Sequence, residues 1–248
     1  MSYPFVRVVG MDAHDYAAAL VRDGRRMADA ADGALDRPVG SCPGWTVADL
    51  VWHTGEVHAF WRGIADGAGP DGYEEPPRPP DGELVAWFRR QVEELAAALE
   101  AADPAAPAWT WSDRKDVGFI QRRMAHETAV HCWDALAAVG RDEPVEPVLA
   151  ADGIDEFLQH FLPGRPEHVA GPLVTVHLHA TDGDGEWLIR AGEGSASFER
   201  AHGKGDAAAR GPVSDLLLLL WGRRRPDDLE VFGDRAALDT FLGRVDRS

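Results

Sequence analysis

The spacing of the apolar residues changes once along this chain, and that change limits what the chain can fold into. Up to about Val139 the apolar residues recur every three or four positions, as they do in amphipathic helices. After Pro172 they alternate with polar residues, as in 174–179, which is typical of a strand with two different faces. The sequence therefore predicts a helical first part and a second part that mixes helices and strands.

Four long helices are predicted in the first part, separated by loops rich in glycine and proline. Thr46 and Asp49 stand three residues apart at the start of the second helix and form a capping-box pattern. Helices joined in this way predict a four-helix bundle, in which polar residues on facing helices can build a metal site. The predicted helices cover residues 11–35, 46–64, 82–101 and 117–139.

The second part is predicted to be a smaller α+β domain. Residues 140–147 are dense in charge and proline, which indicates a linker between domains 1–145 and 146–248. Ser214 and Asp234 are placed to cap two of the helices. The predicted elements are a connecting helix 150–161, strands at 174–178 and 187–190 around a turn at 182–185, a third strand at 195–200, a helix through Leu220, a short strand 229–232 and a last helix 235–245.

The charge balance excludes several classes of partner. The formal net charge is −17, with 25 Lys+Arg against 42 Asp+Glu, which argues against binding to nucleic acid or to anionic lipid. Residues 1–10 show no secretory signal, and no apolar run is long enough to cross a bilayer. The two cysteines form no disulfide framework, so we expect a cytoplasmic protein without membrane partners.

A candidate metal site comes from the second and fourth helices. Glu127 and His131 are four residues apart, so about 40° separates them around a helix and both lie on one face. His53 lies on the apolar stripe of the earlier helix. Two imidazoles and one carboxylate are a zinc set with a vacant position, and such positions are where zinc performs chemistry.

Several histidine arrangements compete with this set. His126 and His131 are five residues apart, about 140° around the helix, so they cannot bind one ion as the two histidines of a metalloprotease motif do. His126 is therefore expected to be structural. His58 could replace His53, but it reads more naturally as a surface or supporting residue. The alternatives to a metal are a core histidine at position 53 and an exposed pair at positions 127 and 131.

Two further pairs of residues carry weaker signals. Cys42 could be a nucleophile, but no adjacent basic group lowers its pKa, and Cys132 is expected to pack in the core. His177 and His179 share one face of a strand, where surface or inter-domain packing is favoured over a second metal.

Three consecutive arginines, 223–225, follow the helix that ends at Leu220. A guanidinium there could bind a carboxylate through two parallel hydrogen bonds, or it could stabilise the helix C-terminus. For Arg223 the two interpretations are balanced. For Arg224 and Arg225, stabilisation of the helix C-terminus is favoured.

Two motifs resemble those of a known family. The segment 42–50 (CPGWTVADL) followed by His53, and the segment 124–127 (MAHE) followed by His131 and Asp134, resemble the mycothiol-dependent maleylpyruvate isomerase family of actinobacteria. The resemblance covers nearly the whole chain. It implies a DinB-like four-helix bundle followed by a C-terminal α+β domain similar to sterol-carrier proteins.

The resemblance also implies a site. His53, Glu127 and His131 fall on the zinc ligands of that family, and Arg223 falls near an arginine that the family uses at its active site. Zinc is expected, although nitrogen and oxygen donors also suit other divalent transition metals. The implied partners are mycothiol, a low-molecular-weight thiol, and a small organic substrate, with the chain a monomer or weak homo-oligomer.

Two reactions are compatible with such a site. In an isomerase, a thiolate adds to the double bond of an unsaturated acid, the adduct rotates about the resulting single bond, and loss of the thiol leaves the other geometric isomer. In an S-transferase, the thiolate attacks an electrophile and stays on it. Other possibilities are a zinc hydrolase that activates water and a metal-binding module without catalytic activity.

Overall fold

The computed structural model describes residues 11–162, 169–183 and 185–245. Contacts within the chain divide it into two compact units, residues 11–145 and the chain from residue 146 onward. Two predictions fall on positions outside the described residues. They are the absence of a secretory signal in residues 1–10 and the position of Asp184 within the predicted turn 182–185. Among the described residues, no helix combines the length and the apolar character that a membrane span requires.

Four long helices build the first unit. Helix α1 packs against α3 and α4, and α2 packs against α3 and α4 as well. The first helix is shorter than predicted, because Asp32 ends it and Gly33 adopts a left-handed φ of 74°. The helices are α1 (Ala13–Ala31), α2 (Val47–Ala65), α3 (Asp81–Ala101) and α4 (Val117–Ala138).

The start of α2 is set by the predicted capping box, which is confirmed. The backbone N–H of Asp49 donates to Thr46 Oγ1 at 3.3 Å, and the backbone N–H of Thr46 donates to Asp49 Oδ2 at 2.9 Å. This bond from the Thr46 backbone and a second one from Arg78 lower the pKa of Asp49 to about 2. The cap fixes the phase of α2 and so decides the direction in which His53 points, about two turns further on.

Helix α4 is the central element of this unit and is buried on nearly every side. Its polar side chains are therefore costly unless other groups pair with them. That requirement makes α4 the place to look for a functional site. The buried polar residues of the helix are Gln121, Arg123, His126, Thr128, His131 and Asp134.

Helices α2 and α3 approach closely at Gly55, which gives a test of the packing. A Cβ added to Gly55 would lie 2.7 Å from Cη2 of Trp87, whose ring stacks on Trp52. We expect Gly55→Ala to lower the free energy of unfolding by about 1–3 kcal/mol, because the rings would have to move. Gly63→Ala is the matched control on the same helix, since its Cβ would meet no described atom within 4 Å.

The control is expected to stabilise the protein slightly, by about 0.4–1 kcal/mol, because alanine loses less backbone entropy on folding than glycine. Urea denaturation of both variants measures the two free energies. Equal stabilities of Gly55→Ala and Gly63→Ala would contradict the described contact between α2 and α3.

The described residues of the second unit form a five-stranded sheet. Its strand order is β3-β2-β1-β4-β5, with β1 and β4 parallel and the other neighbours antiparallel. Helix α5 packs against α6, and α7 packs against β1 and β4. The elements are α5 (Pro147–His160), β1 (Val174–Ala180), β2 (Glu186–Gly192), β3 (Ser195–Glu199), β4 (Ala207–Gly211), α6 (Val213–Leu220), β5 (Glu230–Gly233) and α7 (Arg235–Leu242). The chain thus combines helices with a mixed sheet.

Three details of the second unit differ from the prediction. Ser214 does not cap α6, because the helix begins at Val213, whose backbone N–H donates to Asp182 Oδ1 at 2.8 Å. Strand β4 was not predicted, since its alanines and glycine carry no strand preference. Helix α7 ends at Leu242 and not at residue 245, although Asp234 caps its start as predicted.

Candidate metal centre

Helices α2 and α4 bring His53, Glu127 and His131 together. One donor atom from each of the three side chains lies within 4.8 Å of the other two. Glu127 Oε1 lies 3.2 Å from His131 Nε2 and 3.8 Å from His53 Nε2. The two imidazole rings are nearly perpendicular, with centroids 5.5 Å apart. Glu127 Oε1 therefore faces the Nε2 atom of each histidine.

The opposite ends of two of these side chains are held by buried polar groups. Asp134 Oδ2 lies 2.9 Å from His131 Nδ1, and Asp134 Oδ1 accepts a hydrogen bond from Ser41 Oγ at 2.6 Å. Arg123 Nη2 donates to Glu127 Oε2 at 2.6 Å. Partners of this kind orient metal ligands in proteins, because they fix the ring tautomer and the angle of the carboxylate.

The cluster is open to solvent on the side of His53. The side chain of His53 is 36 % exposed, whereas that of His131 is 11 % exposed. Trp45 packs edge-on against the His53 ring, with centroids 5.0 Å apart. His53 therefore lies on the exposed side of the cluster, whereas His131 and Asp134 lie inside the protein.

The charges of the cluster shift two pKa values in opposite directions. Burial alone would raise the pKa of Glu127, but the neighbouring charges of His131 and Arg123 outweigh it and hold that pKa well below its usual range. Burial alone would lower the pKa of His131, but Glu127 and Asp134 raise it to about 9. Without a metal, then, His131 is protonated and Glu127 is ionised at neutral pH.

The other histidines of this unit lie outside the cluster. The sequence predicts a surface or supporting residue at His58; it is fully buried, so the surface alternative is wrong. Its Nε2 lies 2.9 Å from Thr128 Oγ1, its ring stacks on Phe88, and burial lowers its pKa to about 3. His58 is therefore a neutral core histidine and no substitute for His53. His126 is also buried, beside the ring of Tyr16.

The two cysteines differ in their surroundings. Cys132 is buried, and burial raises the pKa of its thiol to about 12, which makes it a poor nucleophile. Cys42 is half-buried, and its Sγ lies 4.0 Å from Asp134 Oδ2. The thiol donates to the same carboxylate that supports His131, and nothing in this geometry marks Cys42 as a nucleophile.

The donor set fits a divalent transition metal. Neutral imidazole nitrogen and carboxylate oxygen are ligands that zinc commonly takes, and three protein ligands leave a fourth tetrahedral position for another molecule. The supporting bonds from Asp134 and Arg123 leave Nε2 of His131 and Oε1 of Glu127 facing the shared space. The residues present therefore match the chemistry of an open metal site.

Family comparisons cover both units of the chain. The family described as the mycothiol maleylpyruvate isomerase N-terminal domain matches residues 16–136, and the C-terminal domain of the same family, MDMPI, matches residues 148–240. The chain belongs to the mycothiol maleylpyruvate isomerase family. The resemblance seen in the sequence motifs is thereby confirmed.

Solved structures show the same fold as this family member. A crystal structure of the mycothiol-dependent maleylpyruvate isomerase superimposes with a TM-score of 0.63 at 12 % identity, covering 92 % of this chain and 95 % of that one. A histidine-to-alanine mutant of the same enzyme gives a TM-score of 0.63 at 11 % identity with the same coverage. A comparison with curated proteins finds no significant match.

Arg223 lies in the second unit of this family member, directly after α6. It is half-buried, and its Nη1 donates to the backbone carbonyl of Trp221 at 2.9 Å. Arg224 is paired with Asp215 at 2.8 Å, and Arg225 lies exposed at 3.6 Å from Asp228. The three arginines thus have distinct surroundings. Arg224 forms an ion pair with Asp215 of α6, the helix that precedes it.

Sequence reasoning missed Arg123 altogether and found Asp134 only through the resemblance. Both could have been found from helical spacing, since Arg123 stands four residues before Glu127 and Asp134 three residues after His131. Residues at those spacings are neighbours on a helix surface. Ser41 could not have been found in this way, because it lies in the loop before α2 and 93 residues from Asp134.

Proposed function

We propose that this family member is a zinc-dependent enzyme that uses mycothiol as a thiol cosubstrate. It would act as an isomerase or an S-transferase on a small electrophilic or unsaturated acid. The observation that carries the proposal is the open cluster of His53, Glu127 and His131, in a chain of this family whose fold matches a solved mycothiol-dependent maleylpyruvate isomerase. Another divalent transition metal could replace zinc at the same donors.

The proposed ligands are His53 Nε2, Glu127 Oε1 and His131 Nε2. When bound, zinc lowers the pKa of a coordinated thiol and holds it as a nucleophilic thiolate near neutral pH. Asp134 accepts a hydrogen bond from Nδ1–H of His131. This bond favours the tautomer in which Nε2 carries a free lone pair for the metal. Arg123 holds the second oxygen of Glu127 and so keeps Oε1 turned toward the histidines.

The charges of the site suit an anionic thiol and an anionic acid. With both imidazoles neutral, Glu127, Asp134 and Arg123 together leave a single net negative charge. A divalent cation turns this into a single positive charge in a partly buried place, where electrostatic attraction is stronger than in water. The local field would then oppose the strongly acidic surface and favour anionic ligands.

We further propose that Arg223 binds the carboxylate of the substrate. A guanidinium presents parallel N–H donors that match a carboxylate, which positions the reacting carbon relative to a nucleophile. Replacement by lysine keeps the charge and removes the paired geometry, so it tests positioning apart from charge. The proposed fold assignment behind these roles is a DinB-like four-helix bundle followed by a domain similar to sterol-carrier proteins. The packing of α1–α4 and the mixed five-stranded sheet support it.

The test is to incubate the zinc-loaded protein with mycothiol and with either maleylpyruvate or a general electrophile. We expect turnover that requires both zinc and mycothiol, because the thiol is the proposed nucleophile. Mass spectrometry and NMR separate the two reactions: an isomerised acid of unchanged mass with the thiol recovered, or a thioether adduct of higher mass. Chelated protein is the control.

Two results would overturn the proposal. Hydrolysis of an ester or amide that needs zinc but proceeds without mycothiol would replace it with a zinc hydrolase. Zinc bound at the cluster without turnover of either substrate class would replace it with a metal-binding module.

A further inference from the structure

A second group of metal-ligating side chains lies on the sheet of the C-terminal unit, apart from the centre described above. His177 and His179 lie two residues apart on β1, so both point to one face of the sheet. Glu186 begins β2 directly opposite His179, and His202 lies in the segment between β3 and β4. One donor atom from each of these four residues lies within 4.8 Å of the others.

The distances within this group are close to those of a coordination sphere. Glu186 Oε2 lies 2.8 Å from His202 Nδ1 and 3.4 Å from His177 Nε2, and Glu186 Oε1 lies 3.0 Å from His179 Nδ1. Bonds of about 2.0–2.1 Å around a tetrahedral zinc ion place neighbouring ligand atoms about 3.3 Å apart. Since the four donor atoms lie within 4.8 Å of one another, no pair would have to close by more than about 1.5 Å to reach that spacing.

His177 supplies an independent sign that a ligand is missing. The residue is 6 % exposed, and its Nε2 has no well-formed hydrogen bond within the described part of the chain, since Glu186 Oε2 approaches it only to 3.4 Å. A buried ring nitrogen held only by such a long contact is poorly satisfied, since it has also lost its contact with water. A cation bound to this nitrogen would remove that cost.

The composition of the group favours a metal over a simple ion-pair network. The rings of His179 and His202 lie 5.8 Å and 5.2 Å from that of His177, so three imidazoles surround a single carboxylate. As neutral imidazoles, the same residues offer three nitrogen donors. Nitrogen-rich sets of this kind suit zinc, nickel, cobalt and copper, whereas calcium and magnesium prefer oxygen.

The segment that carries His202 is packed closely on the sheet. A Cβ at Gly203 would lie 2.6 Å from Cδ2 of Leu188, and a Cβ at Gly205 would lie 2.8 Å from the backbone oxygen of Thr175. The glycines therefore let the backbone of residues 203–205 lie against β1 and β2. This close approach places His202 beside the histidines of β1. The side chain of His202 is 80 % exposed and is accessible to a metal in solution.

We propose that His177, His179, Glu186 and His202 form a second site for a divalent transition metal, with zinc as the expected ion. Four protein ligands fill a tetrahedral sphere, so the site would hold the segment between β3 and β4 on the sheet and leave no position for a substrate. The three-ligand centre of the first unit differs, because it leaves one coordination position open.

The stoichiometry of metal binding tests the proposal on the full-length protein. Zinc titration monitored by calorimetry, with metal content measured by mass spectrometry, should give two equivalents for the unaltered chain. His179→Ala and His202→Ala should each lose one equivalent or bind it at least 100-fold more weakly. His14→Ala is the control, since this exposed histidine lies on α1 and pairs with Glu100.

Cobalt provides a second measurement. The unaltered chain loaded with two equivalents should show the visible absorption of tetrahedral cobalt from this site, and the His202→Ala variant should lack that share of the absorption. A zinc stoichiometry that is the same in the unaltered chain and in both variants would overturn the proposal, whether that value is one equivalent or two. The test is independent of the proposed function, because it needs neither mycothiol nor turnover.

Discussion

Replacing His131 with alanine is expected to abolish metal binding at the centre between α2 and α4. The change removes the most buried of the three proposed ligands and leaves only His53 and Glu127. Loss of an outer-shell partner alone costs about 10–100-fold in metal affinity, so loss of the ligand itself should cost more than about 100-fold. Thiol-dependent turnover should fall to background, since the thiolate would no longer be stabilised.

The measurement is the number of zinc equivalents per chain together with the rate of product formation in the presence of mycothiol. His14→Ala should keep both values, because His14 is an exposed histidine outside the cluster. Circular dichroism should show that His131→Ala keeps its helices. If the His131→Ala protein bound as much metal and reacted as fast as the unaltered chain, the centre would have to be sought elsewhere.

The helices of the first unit could be predicted from sequence because their information is local. The capping box at Thr46 and Asp49 involves residues three positions apart, and the apolar stripes repeat within each helix. The same local rules placed Glu127 and His131 on one face of α4. The pairing of His53 with them required the two helices to pack, which the apolar stripes made plausible but did not determine.

The details that the sequence did not reveal depend on partners distant along the chain. The start of α6 is set by Asp182, which accepts a bond from a residue 31 positions away. Strand β4 forms because β1 and β5 flank it on both sides, and not because its alanines favour a strand. Likewise, His177 and His179 looked like surface or packing residues because Glu186 and His202 reach them only through strand register and a crossing segment.

The proton on His131 leads to a prediction for the pH dependence of metal binding. In the metal-free protein, Glu127 and Asp134 raise the pKa of His131 to about 9 against the opposing effect of burial. A cation bound to Nε2 must displace this proton, so protons compete with the metal at every pH below that value. Zinc affinity at this centre is therefore expected to increase about tenfold per pH unit between pH 7 and pH 9, and zinc binding at pH 7 should release about one proton.

The same shift has the opposite consequence for the stability of the metal-free protein. A histidine whose folded pKa lies above its unfolded value of 6.5 stabilises the folded state below pH 6.5 and loses that contribution as the pH rises through about 9. Rising pH should thus weaken the metal-free fold at this position while it strengthens metal binding. Chelator-competition titrations measure the affinity, and calorimetry in two buffers of different ionisation enthalpy counts the protons.

Asp134→Asn separates the two roles of the carboxylate. The variant removes one of the charges that hold the proton on His131, so the increase in affinity should level off at a lower pH than in the unaltered chain. It also weakens the bond that orients the ring, which should lower the limiting affinity at high pH by about 10–100-fold. An affinity that stays flat from pH 7 to pH 9 in the unaltered chain would mean that His131 either carries no proton there or does not bind the metal.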